Sequence, residues 1–124
     1  MKICSVSEDK NLEKRIAITP ETAKKYIKLG LEVLLPENYG SHLGFKDSDF
    51  EECGVKILNN ESELLKNSKI ILQLGLLSDD KISHLVENQY LIGTFDAHNN
   101  KNKIESLSKK KNKCFFFRIT TQNN

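Results

Sequence analysis

The alternation of short strand-like runs and amphipathic stretches is the feature of this sequence that most limits its possible folds. Six runs have the composition and length of β-strands, at residues 2–6, 31–35, 55–58, 69–74, 90–95 and 113–117. The segments between them carry apolar residues at helical spacing. Alternating strands and helices favour parallel pairing through right-handed crossovers. The sequence therefore predicts an α/β fold, with an open, doubly wound, mostly parallel sheet and helices on both faces.

The segment at residues 19–30 has the clearest helix boundaries. Thr19 can cap the first turn, Pro20 suits the first helical position, and Gly30 is a natural stop. The predicted buried stripe of this helix contains Ala23, Tyr26 and Ile27, and extends as far as Leu29.

Two further features are predicted for the second half of the chain. The run Ile70-Ile71-Leu72 indicates a central strand that is buried on both faces. A helix capped by Ser78 or Asp79 follows this strand. Its apolar side is predicted to carry Ile82, Leu85 and Val86.

Length and charge limit the possible functions. The 124 residues fit one domain that can bury a core, and 38% of them are hydrophobic. The formal net charge is only +2, so electrostatics give no reason to expect nucleic acid or a membrane surface as the main partner. No apolar run approaches the roughly 20 residues of a membrane helix.

Cysteine usage and the N-terminus indicate a cytoplasmic protein. Cys4, Cys53 and Cys114 are far apart and form no CxxC motif, which favours reduced thiols. The first six residues are too short and too mixed in character for a signal peptide.

The loop that follows the first strand is the candidate functional segment. Ligands of open α/β sheets bind at the carboxyl ends of the strands, and this loop, from Ser7 to Ile18, is long for a β–α connection. It carries Glu8, Glu13 and Arg15. Arg15 is the candidate for binding a substrate carboxylate, because a guanidinium can donate two parallel hydrogen bonds to such a group. The alternative is a surface ion pair between Arg15 and Glu13.

The histidines and the glycine-containing loop indicate neither a metal site nor a phosphate site. His42, His84 and His98 lack the spacing of joint metal ligands, and His98 leaves only a weak case for an acid–base role. Gly40 and Gly44 belong to neither a GxGxxG nor a GxxxxGK[ST] motif, so we interpret them as turn residues.

Five segments, in order and spacing, resemble the N-terminal region of the alanine dehydrogenase and transhydrogenase alpha-subunit family. Residues 13–21 read EKRIAITPE, which is similar to the family's opening E-x-R-V-A-x-T-P-E segment. The other four segments are GLEV at 30–33, GFKD at 44–47, FEECG at 50–54 and SKIIL at 68–72. The resemblance covers about residues 1 to 117.

This resemblance implies a protein built from two domains. Residues 1–124 represent a single N-terminal domain of the flavodoxin/Rossmann-like class, which forms one wall of a cleft. The other is an NAD-binding Rossmann domain with a glycine fingerprint that this sequence does not contain. The implied cofactor of the whole protein is NAD. This chain alone is therefore expected neither to bind NAD tightly nor to transfer hydride.

Within the family, the resemblance is closer to the transhydrogenase alpha subunit. In alanine dehydrogenases the arginine of the first motif, matched by Arg15, and a lysine after strand four hold the substrate carboxylate, and a histidine after strand five assists. Here the lysine segment reads Gln73-Leu74-Gly75, and strand five ends in Gly93-Thr94-Phe95-Asp96. The implied role is in a proton-translocating enzyme that transfers hydride between NAD(H) and NADP(H).

The C-terminal residues supply the implied cofactor contacts. Transhydrogenase alpha subunits carry a P-R-I-x-R-A-Q-x-x-D segment that touches the nicotinamide, and RITTQ at 118–122 is similar. The resemblance therefore assigns cofactor binding to Arg118 and Gln122. Phe117 replaces the proline, one residue is missing before Gln122, and no aspartate follows. A frayed, exposed terminus is the alternative interpretation.

Two other functions stay open, and partners follow from the first. The chain is otherwise a fragment of an alanine or saccharopine-type amino-acid dehydrogenase, with Arg15 binding a keto-acid carboxylate, or a non-enzymatic interaction module. The expected partners of a transhydrogenase fragment are the NAD-binding domain and a membrane beta subunit, which would hold it at the cytoplasmic face of the inner membrane. Apolar surface uncovered by the missing domain predicts a homodimer.

Overall fold

The computed structural model describes residues 1–11, 13–75, 77–93 and 101–116. Its strands are β1 (Lys2–Cys4), β2 (Glu32–Pro36), β3 (Lys56–Leu58), β4 (Ile70–Gln73), β5 (Tyr90–Gly93) and β6 (Lys113–Phe116). Its α-helices are α1 (Pro20–Lys28), α2 (Asp47–Glu52), α3 (Glu61–Asn67), α4 (Asp79–Ile82) and α5 (Lys101–Lys109). A 3₁₀ turn at Ser41–Leu43 precedes α2. The predicted ends of the fifth and sixth strands lie outside the described residues.

The six strands form one sheet in the order β3-β2-β1-β4-β5-β6. Every pairing between neighbouring strands is parallel. The chain moves outward from β1 to β3, crosses back to β4, and then moves outward in the other direction. This arrangement confirms the predicted doubly wound α/β fold, and it leaves a crevice between the carboxyl ends of β1 and β4.

Strands β1 to β4 contribute to two apolar clusters because successive side chains point to opposite faces of the sheet. Ile3, Ile70 and Leu72 face the cluster that contains α1 and α2, which we call the α1 face. Cys4 and Ile71 face the cluster that contains α3, α4 and α5, which we call the α3 face. The core therefore lies in two layers, one on each side of the sheet.

Local sequence signals fix the start and the end of α1. The Thr19 side chain accepts a hydrogen bond from the Thr22 amide, and the Thr22 hydroxyl accepts one from the Thr19 amide at 2.9 Å. This reciprocal capping, with Pro20 in the first turn, confirms the predicted helix start. Gly30 has a φ of +94°, a left-handed conformation that suits glycine, and it ends the helix as predicted.

Two predicted buried residues are exposed, and both lie just beyond a helix. Leu29 is 78% exposed because it is the C-cap of α1, where the chain leaves the helical path. Val86 is 45% exposed and lies beyond the end of α4 at Ile82, where the helical spacing no longer applies. The Gln89 side chain accepts the Val86 amide at 2.8 Å, which holds this segment in a turn.

The α1 face is less completely covered over β4, β5 and β6 than over the other strands. Pairing places Leu72, Ile92 and Phe115 in one row across these three strands. Leu72 and Ile92 are half-buried and Phe115 is 48% exposed, whereas Ile71 on the opposite face is fully buried. Burial of Ile70-Ile71-Leu72 is therefore complete on one face only, a correction to the prediction. We call residues Ile70, Leu72, Tyr90, Ile92 and Phe115 the half-covered face.

Candidate functional site

The candidate site lies at the crevice between β1 and β4, where the strand order reverses. Two segments form its edges, the loop that follows β1 and the turn that follows β4. A parallel sheet brings both segments to the same edge, so residues more than sixty positions apart in sequence meet there.

Glu8 joins these two edges. Its Oε2 accepts the Leu74 amide at 2.7 Å and the Gln73 side-chain amide at 3.0 Å. Its Oε1 accepts the Gly75 amide at 3.0 Å. One carboxylate from the first loop thus bonds to three consecutive residues at the end of β4.

Gln73 continues this network into the protein interior, where only 2% of it is exposed. Its Oε1 accepts the Val6 amide at 2.7 Å and the Ser5 hydroxyl at 3.0 Å. Its Nε2 also donates to the Val6 carbonyl at 3.2 Å. Because a buried amide is costly unless its donors and acceptors are paired, these contacts fix the orientation of the side chain.

Tyr39 connects the network to the segment that carries Arg15. Its hydroxyl donates to Ser5 Oγ at 2.8 Å and accepts the amides of Ala17 and Ile18 at 3.0 and 3.2 Å. Burial raises the pKa of Tyr39 to about 12, so the phenol stays protonated at physiological pH. A continuous buried chain, Tyr39–Ser5–Gln73–Glu8, therefore ties the start of α1 to the turn after β4.

The pKa of Glu8 lies above its ordinary value. Partial burial is the main cause, and the bonds from the Leu74 and Gly75 amides act in the opposite direction. Glu13 raises the pKa of Glu8 further, whereas Lys81 lowers it. The folded structure therefore disfavours the charged form of Glu8 relative to a glutamate in water.

A cleft of about 400 Å³ opens beside Glu8. Lys81 helps to form its wall, since its Nζ donates to the Ser7 carbonyl at 2.6 Å and lies 3.5 Å from a Glu61 carboxylate oxygen. The residues that line this cleft are Ser7, Glu8, Asp9, Gln73, Leu77, Ser78, Lys81 and Lys103. The cleft is polar and carries charges of both signs.

A second depression, of about 180 Å³, lies on the α1 face at the same edge of the sheet. It is mainly apolar and shares Leu72 and Ile92 with the half-covered face. Its lining consists of Ala17, Tyr26, Leu72, Gln73, Leu74, Ile92 and Gly93. Its walls can pack against a flat ring or against side chains of another domain.

Arg15 lies in the loop after β1, the segment where the sequence predicts a binding role. Its guanidinium pairs with Glu13, with Nη2 to Oε1 at 2.8 Å and Nε to Oε2 at 2.9 Å, and 64% of the side chain is exposed. The hydrogen bonds from Arg15 lower the pKa of Glu13. In this structure the two Arg15 nitrogens that could bind a ligand carboxylate are bonded to Glu13. A carboxylate ligand would therefore have to displace Glu13.

The glycine-containing loop after β2 supports the loop that carries Arg15. Gly44 has a φ of +87°, and Gly40 lies close to the rings of Phe45 and Phe50, which agrees with the predicted turn roles. His42 Nε2 contacts the Lys14 carbonyl at 2.7 Å. This contact helps to fix the position of the backbone next to Arg15.

Three residues for which the sequence suggested a functional role lie outside the described residues. These are His98, Arg118 and Gln122. Their predicted roles, cofactor binding for Arg118 and Gln122, stay predictions.

The segment Gln73-Leu74-Gly75 stands where the resemblance leads us to expect the lysine of alanine dehydrogenases. Gln73 is buried, and the Gly75 amide bonds to Glu8. The sequence pattern did not identify Gln73, Ser5 and Tyr39 as one network. A usable signal was present, because a glutamine at the end of an apolar parallel strand must find buried partners.

The described ranges contain neither a metal cluster nor a membrane helix. Within them, no group of three or more His, Cys, Asp or Glu side chains is placed to hold a metal ion. None of the helices in the same ranges is long and apolar enough to cross a bilayer.

Comparisons with known proteins relate the chain to two groups of enzymes. It is 30% identical over 99 residues to NAD(P) transhydrogenase subunit alpha of Haemophilus influenzae, a match that covers 80% of this chain and 19% of that protein. It is 31% identical over 91 residues to an alanine dehydrogenase of Halomonas elongata, a match that covers 73% of this chain and 24% of that protein. The chain thus spans less than a third of the length of either relative.

A solved structure supports the fold. The transhydrogenase of Sinorhizobium meliloti superposes with a TM-score of 0.87 at 22% identity, over 97% of this chain and 37% of that one. The family model described as "Alanine dehydrogenase/PNT, N-terminal domain" matches residues 5–122. The resemblance stated from the sequence motifs is confirmed, and the chain belongs to the family of alanine dehydrogenase/PNT N-terminal domains.

Proposed function

We propose that this chain is the N-terminal wall domain of a proton-translocating NAD(P) transhydrogenase alpha subunit. In the whole enzyme, hydride would pass between NAD(H) and NADP(H). The observation that carries this proposal is the turn after β4, where the segment Gln73-Leu74-Gly75 contains no lysine and the Gly75 amide is bonded to Glu8. The turn after β4 therefore lacks the lysine that the resemblance assigns, beside Arg15, to the alanine dehydrogenases.

In this proposal the chain positions the cofactor and does not transfer hydride by itself. NAD is bound by a separate Rossmann domain, and this chain has no glycine fingerprint of its own. The apolar depression beside Ala17 and Ile92 and the exposed ion pair of Arg15 lie at the edge of the sheet where the nicotinamide would bind. Closing such a wall over the ring aligns donor and acceptor and excludes water.

Arg118 and Gln122 complete the proposed cofactor contacts. Both follow β6 in the sequence, outside the described residues. An arginine and a glutamine can donate hydrogen bonds to the carboxamide or phosphate groups of a dinucleotide. Their roles rest on the similarity of residues 118–122 to the nicotinamide-contacting segment of the family.

The proposed partners are the NAD-binding domain, a membrane beta subunit and a second copy of this chain. The beta subunit would hold the assembly at the cytoplasmic face of the inner membrane. The half-covered face supports a contact, because it places Ile92 and Phe115 side by side with apolar surface open to solvent. In the absence of the other domains, we propose that two copies associate through this face.

Two chimaeras test the proposed function. In one, this chain replaces the matching segment of a bacterial transhydrogenase alpha subunit. In the other, it replaces the matching segment of an alanine dehydrogenase. We expect hydride transfer from NADH to an NADP analogue in the first and no reductive amination of pyruvate in the second. Activity of the second chimaera alone would contradict the proposal.

The alternative function is that of an alanine or saccharopine-type amino-acid dehydrogenase fragment. Arg15 favours it, because its guanidinium already holds a carboxylate in the two-bond geometry that a keto acid would use. Titration of the isolated chain with pyruvate, followed by NMR of residues 13–18, separates the two functions. A saturable shift that disappears in Arg15→Ala would favour the dehydrogenase, whereas the proposed function predicts no saturable shift.

The third possibility is a non-enzymatic interaction module. It predicts that neither chimaera is active although both fold. Circular dichroism and thermal unfolding of the chimaeras distinguish this outcome from simple misfolding.

A further inference from the structure

We propose that Glu8 is a positioning residue that sets the shape of the crevice by holding the turn after β4 to the loop after β1. Only the use of the crevice, to position a cofactor, rests on the proposed function. The contacts themselves are independent of which enzyme the domain belongs to.

The Glu8 carboxylate spans the peptide bond between Leu74 and Gly75. The Glu8 carboxylate accepts two successive backbone amides, Leu74 on Oε2 at 2.7 Å and Gly75 on Oε1 at 3.0 Å. A carboxylate that bridges two neighbouring amides fixes the peptide plane between them. The backbone leaves β4 at this point, so the direction of the next residues depends on Glu8.

The Glu8 carboxylate lies close to the Gly75 backbone, where there is no side chain. A Cβ placed on Gly75 would lie 3.2 Å from Glu8 Oε1, which is closer than normal van der Waals contact. The absence of a side chain therefore lets the carboxylate approach the backbone closely. Residues 8 and 75 act as a matched pair.

Glu8 stands at the end of the chain of hydrogen bonds that begins at Tyr39. Gln73 donates to its Oε2, and Gln73 in turn accepts from Ser5, which accepts from Tyr39. Tyr39 holds the Ala17 amide next to the Arg15 segment. A change in the charge of Glu8 therefore acts on both edges of the crevice.

The groups that surround Glu8 determine how its charge responds to pH. Glu13 in the same loop disfavours ionisation, and Lys81 from α4 favours it. Partial burial raises the pKa of Glu8, so its protonation begins at a higher pH than that of an ordinary glutamate. Other charged or titratable groups near the carboxylate and its cleft are Asp9, Tyr39, Glu61 and Lys103.

Protonation changes what Glu8 can hold. An ionised carboxylate accepts all three N–H donors, whereas a protonated carboxyl has one oxygen that carries a proton and accepts weakly. The turn after β4 should then be ordered when Glu8 is ionised and looser when it is neutral. The ordered state has a cost, because the charge is partly withdrawn from water.

NMR of the amides of Leu74 and Gly75 in the 124-residue chain tests the inference. In the wild type we expect both amide shifts to titrate together, with a midpoint above the ordinary value for glutamate. In Glu8→Gln the titration should disappear. Glu87→Gln is the matched control, since that side chain is 66% exposed and pairs with Lys111, and it should leave the titration unchanged.

Hydrogen exchange and chemical rescue give a second readout. In Glu8→Ala, exchange of these two amides should accelerate by about tenfold or more, since hydrogen bonds to a charged acceptor contribute on that scale. Formate should slow it again by occupying the vacated position, and chloride at equal ionic strength should not.

Two results would overturn the inference. One is an unchanged amide titration in Glu8→Gln. The other is a Glu8→Ala variant whose exchange is normal or insensitive to formate. If Glu8→Ala does not fold, Glu8→Gln alone decides, because it keeps the size of the side chain. None of these readouts depends on hydride transfer, so failure here is distinct from failure of the proposed function.

Discussion

The two halves of the sheet differ in how completely they are covered on the α1 face. Over β1, β2 and β3, helices α1 and α2 bury Ala23 and Phe50 entirely, and the Phe50 ring lies edge-on to Tyr39 at 6.0 Å. Over β4, β5 and β6, Tyr90 and Phe115 lie in the half-covered face, with ring centroids 5.9 Å apart. The half over β1, β2 and β3 is a fully packed core. The half over β4, β5 and β6 leaves apolar surface open to solvent.

The largest expected effect tests the fully packed half. Phe50→Ala removes a fully buried ring and should lower the free energy of unfolding by about 3–5 kcal/mol. Phe115→Ala is the matched control, because 48% of that residue is already exposed, and it should cost less than about 1 kcal/mol. Urea unfolding measures both. Equal losses would mean that the two halves are packed alike.

A smaller effect is expected from a single hydroxyl at the boundary between the halves. Tyr39→Phe leaves the amides of Ala17 and Ile18 without their acceptor and should cost about 1–3 kcal/mol. Tyr90→Phe, in the half-covered face, is the control and should stay within about 0.5 kcal/mol of wild type. Thermal unfolding of the two variants compares them directly, and a neutral Tyr39→Phe would show that the buried chain contributes little.

The half-covered face should also determine self-association. The wild-type chain is expected to form reversible dimers. Replacing Ile92 by Thr and Phe115 by Ser should weaken them by about tenfold, since less apolar area would be buried. Sedimentation equilibrium gives both dissociation constants. A wild-type chain that stays monomeric at high concentration would refute this use of the face.

The smallest effect is a pH dependence at the crevice. Because the pKa of Glu8 is raised in the folded state, the fold binds more protons than the unfolded chain between the ordinary glutamate pKa of 4.5 and that raised pKa. Stability should therefore fall as the pH rises through this window. Glu8→Gln should remove the slope, as measured by urea unfolding at several pH values.

Glu13 provides the internal control for that measurement. Its pKa is lowered by Arg15, so its contribution is present above the ordinary glutamate pKa of 4.5 and is lost as the pH falls through the lowered pKa. Glu13→Gln should lower stability above that range and remove the pH dependence within it, while the Glu8 slope should persist, reduced by the loss of the Glu13 charge. A loss of the Glu8 slope in Glu13→Gln would show that the two windows had been assigned wrongly.

Features that depend on neighbouring residues could be predicted from the sequence. Thr19 and Pro20 fix a helix start through contacts within four residues, and the strand runs alternate with helices regularly enough to give the doubly wound sheet. The misplaced burial of Leu29 has the same local origin, since apolar spacing does not show that the helix has already ended.

Features that depend on distant residues could not be predicted. Glu8 and Gly75 are 67 positions apart, and only the pairing of β1 with β4 brings them together. The sequence also left open whether Arg15 pairs with Glu13 or waits for a ligand, because both follow from the same charges. The structure shows the pair, and the binding role of Arg15 stays a prediction. Periodicity likewise identified the two faces of β4 without showing how far each is covered.

The close approach of Glu8 to Gly75 has a consequence for how this domain could change over evolution. A Cβ at position 75 would lie 3.2 Å from Oε1, so the end of the Glu8 side chain would have to shift by a few tenths of an ångström. The same two oxygens accept the Leu74, Gly75 and Gln73 donors, so the shift would lengthen those hydrogen bonds. A descendant with a side chain at position 75 would therefore inherit a slightly displaced Glu8 and weaker contacts across the crevice.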